Sequence, residues 1–122
     1  MRSIVLGALL SFAAQPELRD LLTDLRSPLP SARRAATEKL IRIGPSVAPP
    51  AHALLKDKDA NVRRAAVDVL AGLAFKHAEA VPLLATALEH EDRAVRHAAA
   101  AGLNEAVTLD EKAVRLLARA LE

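Results

Sequence analysis

The chain of 122 residues contains no cysteine, tryptophan or tyrosine and only two phenylalanines. Without cysteine it can form no disulfide framework, which fits a reducing compartment, and we expect a cytoplasmic protein. The scarcity of aromatic rings leaves few side chains that could stack on nucleic-acid bases. No apolar run is long enough to span a bilayer, so we expect no membrane span.

Hydrophobic residues make up 52% of the chain, and many of them are Ala and Leu. Both are strong helix formers. A chain of this length with this apolar content can build one domain with a core that needs no metal or disulfide. The composition therefore predicts a single all-α domain with closely packed helices.

Charge is distributed unevenly along the chain, although the formal net charge is only +2. Residues 1–64 hold 11 Lys and Arg against 6 Asp and Glu, giving +5, whereas residues 65–122 hold 6 against 9, giving −3. Such polarity can steer an acidic partner to one end or help copies stack head to tail. The alternative is that these charges are simply solvated.

The chain contains an internal repeat, because two stretches match when one is shifted by 33 positions. The matched pairs are Pro49 and Pro82, Leu55 and Leu88, Asp59 and Asp92, Val62 and Val95, Arg63 and Arg96, Ala65 and Ala98, Ala66 and Ala99, and Leu70 and Leu103. A period of this length that carries two helical patterns is typical of a solenoid, in which each unit buries its apolar face by stacking on its neighbour.

The helical patterns predict eight helices in one domain. They divide into a lone second helix at 1–14, hairpin repeats at 16–44, 46–76 and 78–107, and a lone first helix at 110–122. Ser31, Asp59 and Asp92 stand where the second helices of the hairpins should be capped. Pro49 and Pro82 fall early in first helices, where a missing backbone N–H costs little.

The spacing of apolar residues also predicts which sides of the helices face the core. The second-helix residues expected inside are Ala32, Ala36, Leu40, Ile43, Val62, Ala66, Val69, Leu70, Leu73, Val95, Ala99, Leu103 and Ala106. The last helix repeats a first-helix stripe with Val114, Leu117, Ala118 and Leu121. Phe75 also falls in an apolar stripe.

The first residues allow two interpretations. Arg2, the apolar run 4–10 and Ala13 together resemble a short secretory signal, which would make the protein secreted or periplasmic. We favour a structural helix, because a shift of 30 positions aligns Leu6 and Leu10 with two residues of the first hairpin. This helix is apolar almost all round, so it predicts self-association or partner docking at that end.

Residues 55–70 and 88–103 share a pattern of Asp, then Val-Arg, then Ala-Ala, then Leu. This pattern resembles HEAT repeats, particularly the short bacterial type found in phycobilisome lyases. The resemblance covers residues 16–106 and is weakest in the first unit, where Leu29 stands in place of Asp. It implies a right-handed α-solenoid with first helices on the convex side and second helices on the concave side.

In that family the repeated Asp and Arg usually tie adjacent units together, so the resemblance implies a structural ladder of Asp59, Arg63, Asp92 and Arg96. Partner-binding residues are then expected on the concave side of the second helices. The same register places there Arg34, Glu38, Arg42, Arg64, Asp68, His97 and Asn104. A row of basic side chains would suit an acidic peptide or phosphates, although Glu38 and Asp68 would partly neutralise it. A merely solvated face is the alternative.

The four histidines invite a test for metal binding. Deoxyhypusine hydroxylase, a HEAT-like enzyme, holds two irons through adjacent His-Glu pairs on several helices. Here His90 and Glu91 form such a pair, but they lie in a turn and have no counterpart in the other units. One pair cannot supply a ligand set, so we expect no metal, no cofactor and no catalytic residue.

The resemblance implies a non-catalytic scaffold, adaptor or regulatory subunit that binds a protein on its concave face. One alternative is electrostatic nucleic-acid binding by the basic half, in keeping with a pI of 9.4. Another is an accessory module for a separate enzyme such as a lyase.

Overall fold

A computed structural model describes residues 16–122 of the chain, which form seven α-helices. The helices are α1 Pro16–Asp24, α2 Pro30–Ile43, α3 Ala48–Ala53, α4 Ala60–Lys76, α5 Val81–Thr86, α6 Arg93–Leu109 and α7 Glu111–Ala120. Single 3₁₀ turns flank α3 and α5 on both sides. The helix predicted within residues 1–14 lies outside the described residues.

The helices stack as a solenoid. The pairs α1–α2, α3–α4 and α5–α6 each form a hairpin, and we call them the first, second and third repeats. The second helices α2, α4 and α6 pack side by side in one layer, while α3, α5 and α7 form the other. The predicted all-α solenoid is confirmed, since consecutive hairpins stack and the main contacts between repeats join neighbours.

One continuous apolar core runs between the two layers. Its largest fully buried side chains are Leu25, Leu40, Val47, Val62, Val67, Val69, Leu70, Leu73, Val81, Leu84 and Val95. Leucines contributed by α2, α4 and α5 meet in this core, so one repeat covers the apolar side of the next. This mutual burial is the main force that holds the stack together.

Aspartates cap three of the helices. Asp59, Asp92 and Asp110 accept hydrogen bonds from the backbone N–H two residues on, at 2.8, 2.9 and 2.8 Å. The prediction of caps at Asp59 and Asp92 is confirmed. The prediction for Ser31 is wrong, because α2 begins at Pro30 and Leu29 occupies the cap position without a side-chain bond. Proline at the first helical position fixes φ there, and the helix starts two residues earlier than a Ser31 cap predicts.

The prolines of the first helices lie where the repeat predicts them. Pro49 and Pro82 are each the second residue of a short helix. At this position a helix has no intrahelical acceptor for the backbone N–H, so proline removes nothing. Both prolines are therefore part of the repeat's architecture.

The end of α2 departs from the prediction. Ile43 was expected on the inner face, but 41% of it is exposed. The chain turns away directly after it at Gly44, whose φ of 113° suits glycine. Val47, in the following 3₁₀ turn, is fully buried and packs against α2 in place of Ile43.

The apolar stripe of α7 is only partly buried, contrary to expectation. Ala113 is buried and Leu117 is half-buried, whereas Val114 and Leu121 are 47% and 62% exposed. Helix α7 packs on α5 and α6 along one side. Nothing in the described part of the chain covers its other side, so the outer half of the stripe remains in solvent.

Candidate functional site

The second helices carry a polar outer surface, which we call the second-helix face. All seven residues predicted for partner binding are exposed on it, namely Arg34, Glu38, Arg42, Arg64, Asp68, His97 and Asn104. They lie on α2, α4 and α6, with the apolar residues of the same helices turned to the core. Two hollows on this face lie between α2 and α4, and one of them also reaches Glu105 on α6.

The first hollow is a crevice of about 230 Å³ near the N-terminal ends of α2 and α4. Its polar lining consists of Arg33, Arg34, Thr37, Asn61, Arg64 and Asp68. Three guanidinium groups face one carboxylate, so the lining carries an excess of two positive charges. We call this hollow the arginine crevice.

One ion pair lies within the arginine crevice. The Arg64 Nε is 3.4 Å from the Asp68 Oδ1, one helical turn away, and both side chains are more than half exposed. Solvent-exposed pairs of this kind contribute little, typically below about 1 kcal/mol. The Arg64 guanidinium therefore remains available to an incoming anion.

The second hollow is a groove of about 500 Å³, farther along the same two helices. Ile41, Ala71, Gly72 and Phe75 form its apolar surface. Its charged lining residues are Glu38, Arg42, Asp68, Lys76 and Glu105. We call it the Phe75 groove. Asp68 lines both hollows, so they are adjacent, and we call the two together the seam.

The exposure of Phe75 was missed by the sequence analysis, which assigned this ring to a core-facing stripe. It is 48% exposed. On α4, Asp68 lies four residues after Arg64, and Ala71 lies three residues after Asp68. Phe75 follows Ala71 by four residues. Residues at these spacings share one side of a helix, so extending the outer stripe by one turn would have found it.

The structure groups only some of the predicted residues. Arg34, Arg64 and Asp68 meet in the arginine crevice, and Glu38 and Arg42 line the Phe75 groove. His97 and Asn104 lie on α6 and line neither hollow.

Of the four predicted ladder residues, the structure joins Arg63 and Asp92. The Arg63 Nε and Nη2 both donate to the Asp92 Oδ2, at 3.2 and 2.8 Å, and so connect the second repeat to the third. The Arg63 guanidinium holds the pKa of the Asp92 carboxyl below its usual value, and the N–H of Ala94 adds to the effect. Both the donor and the acceptor of these hydrogen bonds are charged, which makes the bonds stronger than those between neutral groups.

The other two ladder residues act within their own repeats. Asp59 caps α4, and Arg96 donates from Nη1 to the carbonyl oxygens of His90 and Glu91 at 2.8 and 2.9 Å. Within residues 16–122 neither of them forms an ion pair. Arg63 makes the same local bonds, since its Nη1 donates to carbonyl oxygens of the turn before α4.

The first and second repeats are joined by a different pair, which the sequence analysis did not identify. Arg26 donates to Asp57, which lies two residues before the cap of α4. This contact lowers the pKa of the Asp57 carboxyl, with help from the N–H of Asp59, and raises the pKa of Arg26. Position 57 carried no sequence signal, because its counterpart in the third repeat is His90.

His90 forms hydrogen bonds through both ring nitrogens, and one of them, Nε2, links the third repeat to the second. Its Nδ1 accepts from the backbone N–H of Asp92 at 2.9 Å, which leaves the Nε2–H to donate to the carbonyl oxygen of Leu55 at 2.7 Å. The side chains of Asp57 and Ser27 accept the equivalent N–H bond in the other two turns, at 2.9 and 3.2 Å. His90 thus serves as a structural acceptor and donor at this junction.

Neither a metal centre nor a bilayer-spanning helix is found in the described part of the chain. Residues 16–122 bring no three His, Asp or Glu side chains together as a metal site would require. Over the same residues, no helix combines the length and the apolar character needed to cross a bilayer.

The match to known proteins lies in the repeats. Residues 48–122, which are more than half of the chain and span α3 to α7, match the family model for HEAT repeats. No curated protein matches the chain. HEAT repeats generally mediate protein–protein interactions and are typically non-catalytic scaffolds. The repeat pattern, the stacked hairpins and this match together show that the chain belongs to the HEAT-repeat family.

Proposed function

We propose that the protein is a non-catalytic scaffold, adaptor or regulatory subunit that binds a protein partner on its second-helix face. The observation that carries this proposal is the seam between α2 and α4, where a half-exposed aromatic ring lies beside a basic crevice. Buried aromatic and arginine side chains supply most of the binding energy at protein interfaces.

The stack supports such a role physically. Phe75 and the crevice arginines stand on helices whose inner sides are fully packed, so binding requires little ordering of the protein. Pre-ordered surfaces bind more tightly because less conformational entropy is lost. Charged residues around the groove would set the register and the selectivity of the partner.

A charge-reversal experiment tests the proposal. The purified chain is used to capture partners from native lysate, with and without nuclease, and is compared with the variant Arg34→Glu plus Arg64→Glu. The matched control is Arg115→Glu plus Arg119→Glu, which makes the same charge change at exposed positions on α7. We expect a defined protein set that survives nuclease, is lost with the crevice variant and is kept by the control.

Two other results would contradict the proposal. Capture that disappears with nuclease would indicate nucleic-acid binding. Capture that is equal for the crevice variant and the control would place the binding surface elsewhere.

We also propose that the chain self-associates through its ends. Val114 is 47% exposed on α7, whereas its counterpart 33 positions earlier, Val81, is fully buried. The proposed occupant of this surface is the segment 4–14 of a second copy, whose apolar pattern aligns with a second helix. That segment lies outside the described residues. The opposite charges of the two halves would favour head-to-tail stacking.

Sedimentation velocity at increasing protein concentration tests this second proposal. We expect association that is weakened by Leu9→Glu and by Val114→Glu separately. A wild-type chain that stays monomeric at high micromolar concentration would disprove it. Association that is unchanged in both variants would do the same.

A further inference from the structure

We infer that the partner presents an amphipathic helix that lies along the seam between α2 and α4, with an acidic side chain in the arginine crevice and an apolar side chain on Phe75. This inference rests on the proposed function and specifies the chemistry of its partner. It follows from the shape of the seam and from how charge changes along it.

The shape of the seam fits a third helix. Both hollows lie between α2 and α4 and meet at Asp68, so together they follow the direction of these helices. Arg64 and Phe75 are eleven residues apart on α4, which corresponds to about 16 Å along the helix axis. A helix packs into the depression between two neighbouring helices through interdigitating side chains. Three turns of a partner helix would connect the two hollows.

Charge distinguishes the two ends of the seam. The arginine crevice has three arginines against Asp68. The Phe75 groove has Arg42 and Lys76 against three carboxylates. A complementary helix therefore carries its acidic side chain at the crevice end, and neutral or basic residues around its apolar anchor. This charge pattern gives the helix one preferred direction.

The crevice is suited to an oxyanion. The Arg33 Nη1 donates to the carbonyl oxygen of Ser27 at 2.7 Å, which fixes that side chain against the turn. Arg34 and Arg64 are exposed beside it. Guanidinium groups bind carboxylate and phosphate oxygens through paired, charge-assisted hydrogen bonds. A glutamate or a phosphoserine of the partner would supply such oxygens.

Designed peptides test the inference directly. The probe is a labelled, alanine-based helical peptide that carries one Glu and one Leu eleven residues apart, with a Lys beside the Leu. The control peptide has the same composition but places Glu and Leu nine residues apart. At 100° per residue, a spacing of eleven puts both side chains on one side of the helix, whereas a spacing of nine puts them on opposite sides.

We expect the peptide with spacing eleven to bind the wild-type chain at least about tenfold more tightly than the control in fluorescence anisotropy, since two anchors are then used together. A second pair of peptides with phosphoserine in place of Glu shows which oxyanion the crevice prefers. Binding should weaken as salt concentration rises, because exposed charges are screened.

Charge reversal in the protein provides an independent check. The variant Arg34→Glu plus Arg64→Glu should bind the Glu peptide about tenfold more weakly than the wild-type chain does. It should bind a peptide with Lys in place of Glu more tightly than the wild-type chain does. Arg115→Glu plus Arg119→Glu should leave the binding of both peptides unchanged. Circular dichroism must show that each variant is folded.

The outcomes separate this inference from the proposed function. Equal binding of the two spacings, or no measurable peptide binding, would overturn the inference. The proposed function would still stand if lysate partners were lost with the crevice variant. If neither the peptides nor the captured partners respond to the crevice variant, both proposals fail.

Discussion

The two junctions between successive repeats are built from the same pattern but are packed differently. Between the second and third repeats, α4 and α6 pack along more of their length than α2 and α4 do between the first and second repeats. A Cβ added to Gly102 on α6 would lie 2.7 Å from the Cβ of Ala71 on α4. The bond between His52 Nε2 and Thr86 Oγ1, at 2.9 Å, adds another link.

The junction between the first and second repeats is more open. The side chain of Ile41 on α2 lies over the backbone of α4 at Gly72, and a Cβ added there would meet the outer end of this flexible side chain. The arginine crevice and the Phe75 groove both lie at this open junction. The proposed binding surface therefore lies where helix packing is less complete, and the closely packed junction lies next to it.

The largest effect is expected from filling the closely packed junction. Gly102→Val would push a branched side chain into Ala71 and Leu84, and neither α4 nor α5 can move aside easily. We expect a loss of about 2–3 kcal/mol in the free energy of unfolding, as is usual for overpacking. Denaturation in urea would measure it. Valine has a higher helix propensity than glycine, so propensity alone predicts no loss for Gly102→Val. Ala100→Val, at an exposed position of the same helix, shows the effect of valine without the close approach. An equal loss in both variants would show that the close approach is unimportant.

The ion pair of this junction should have the next largest effect. Arg63→Met removes both the bonds to turn carbonyls and the pair with Asp92. Arg96→Met removes only bonds to turn carbonyls. We therefore expect Arg63→Met to lower the melting temperature by a few degrees more than Arg96→Met does, as measured by circular dichroism. Similar shifts would mean that the inter-repeat pair adds nothing to stability.

Acid should weaken both junctions together. Arg26 lowers the pKa of Asp57, and Arg63 lowers the pKa of Asp92. The unfolded chain therefore binds protons more readily than the folded one. The stabilisation from these two carboxyl groups is present above about pH 4 and is lost as the pH falls through their lowered pKa values in the folded state. Thermal melts from pH 6 to pH 3 would show this decline. Asp92→Asn should make the decline shallower, and Asp20→Asn, at an exposed position of α1, serves as the control.

The smallest effect is expected at the open junction. Gly72→Ala would meet the end of the Ile41 side chain, which is half-buried and can turn aside. Alanine also improves helix propensity by about 1 kcal/mol over glycine. We expect a net change within about 1 kcal/mol in urea denaturation. A loss as large as that of Gly102→Val would contradict the difference between the two junctions.

Features that repeat and act locally could be predicted from the sequence. The caps at Asp59 and Asp92 and the buried stripe of α4 follow from patterns within one helix and its adjoining turn. Features that depend on a neighbour were harder to predict. Ile43 and Val114 both have the spacing of buried residues, yet both are exposed. The chain turns away directly after Ile43, and no described residue covers Val114.

For the candidate site, the helical register was sufficient to predict exposure but not grouping. It placed Arg34 and Arg64 on the surface, yet it could not show that they share a crevice. Their grouping depends on how closely α2 and α4 approach, which side-chain packing decides. The pair between Arg26 and Asp57 was missed for the same reason, because it crosses from one repeat to the next.

The three turns before the second helices bear on whether the repeats are interchangeable modules. In each turn one side chain accepts a hydrogen bond from the backbone N–H two residues on, and the acceptors are Ser27, Asp57 and His90. This bond alone could be made by any side chain with an acceptor atom in reach. Their second partners differ, however, since Asp57 pairs with Arg26 and His90 donates to a carbonyl oxygen. Deleting the second repeat would bring Arg26 opposite an imidazole in place of a carboxylate. Each junction therefore requires particular side chains from both of its repeats. Changing the order of the repeats would place side chains opposite each other that do not form these hydrogen bonds.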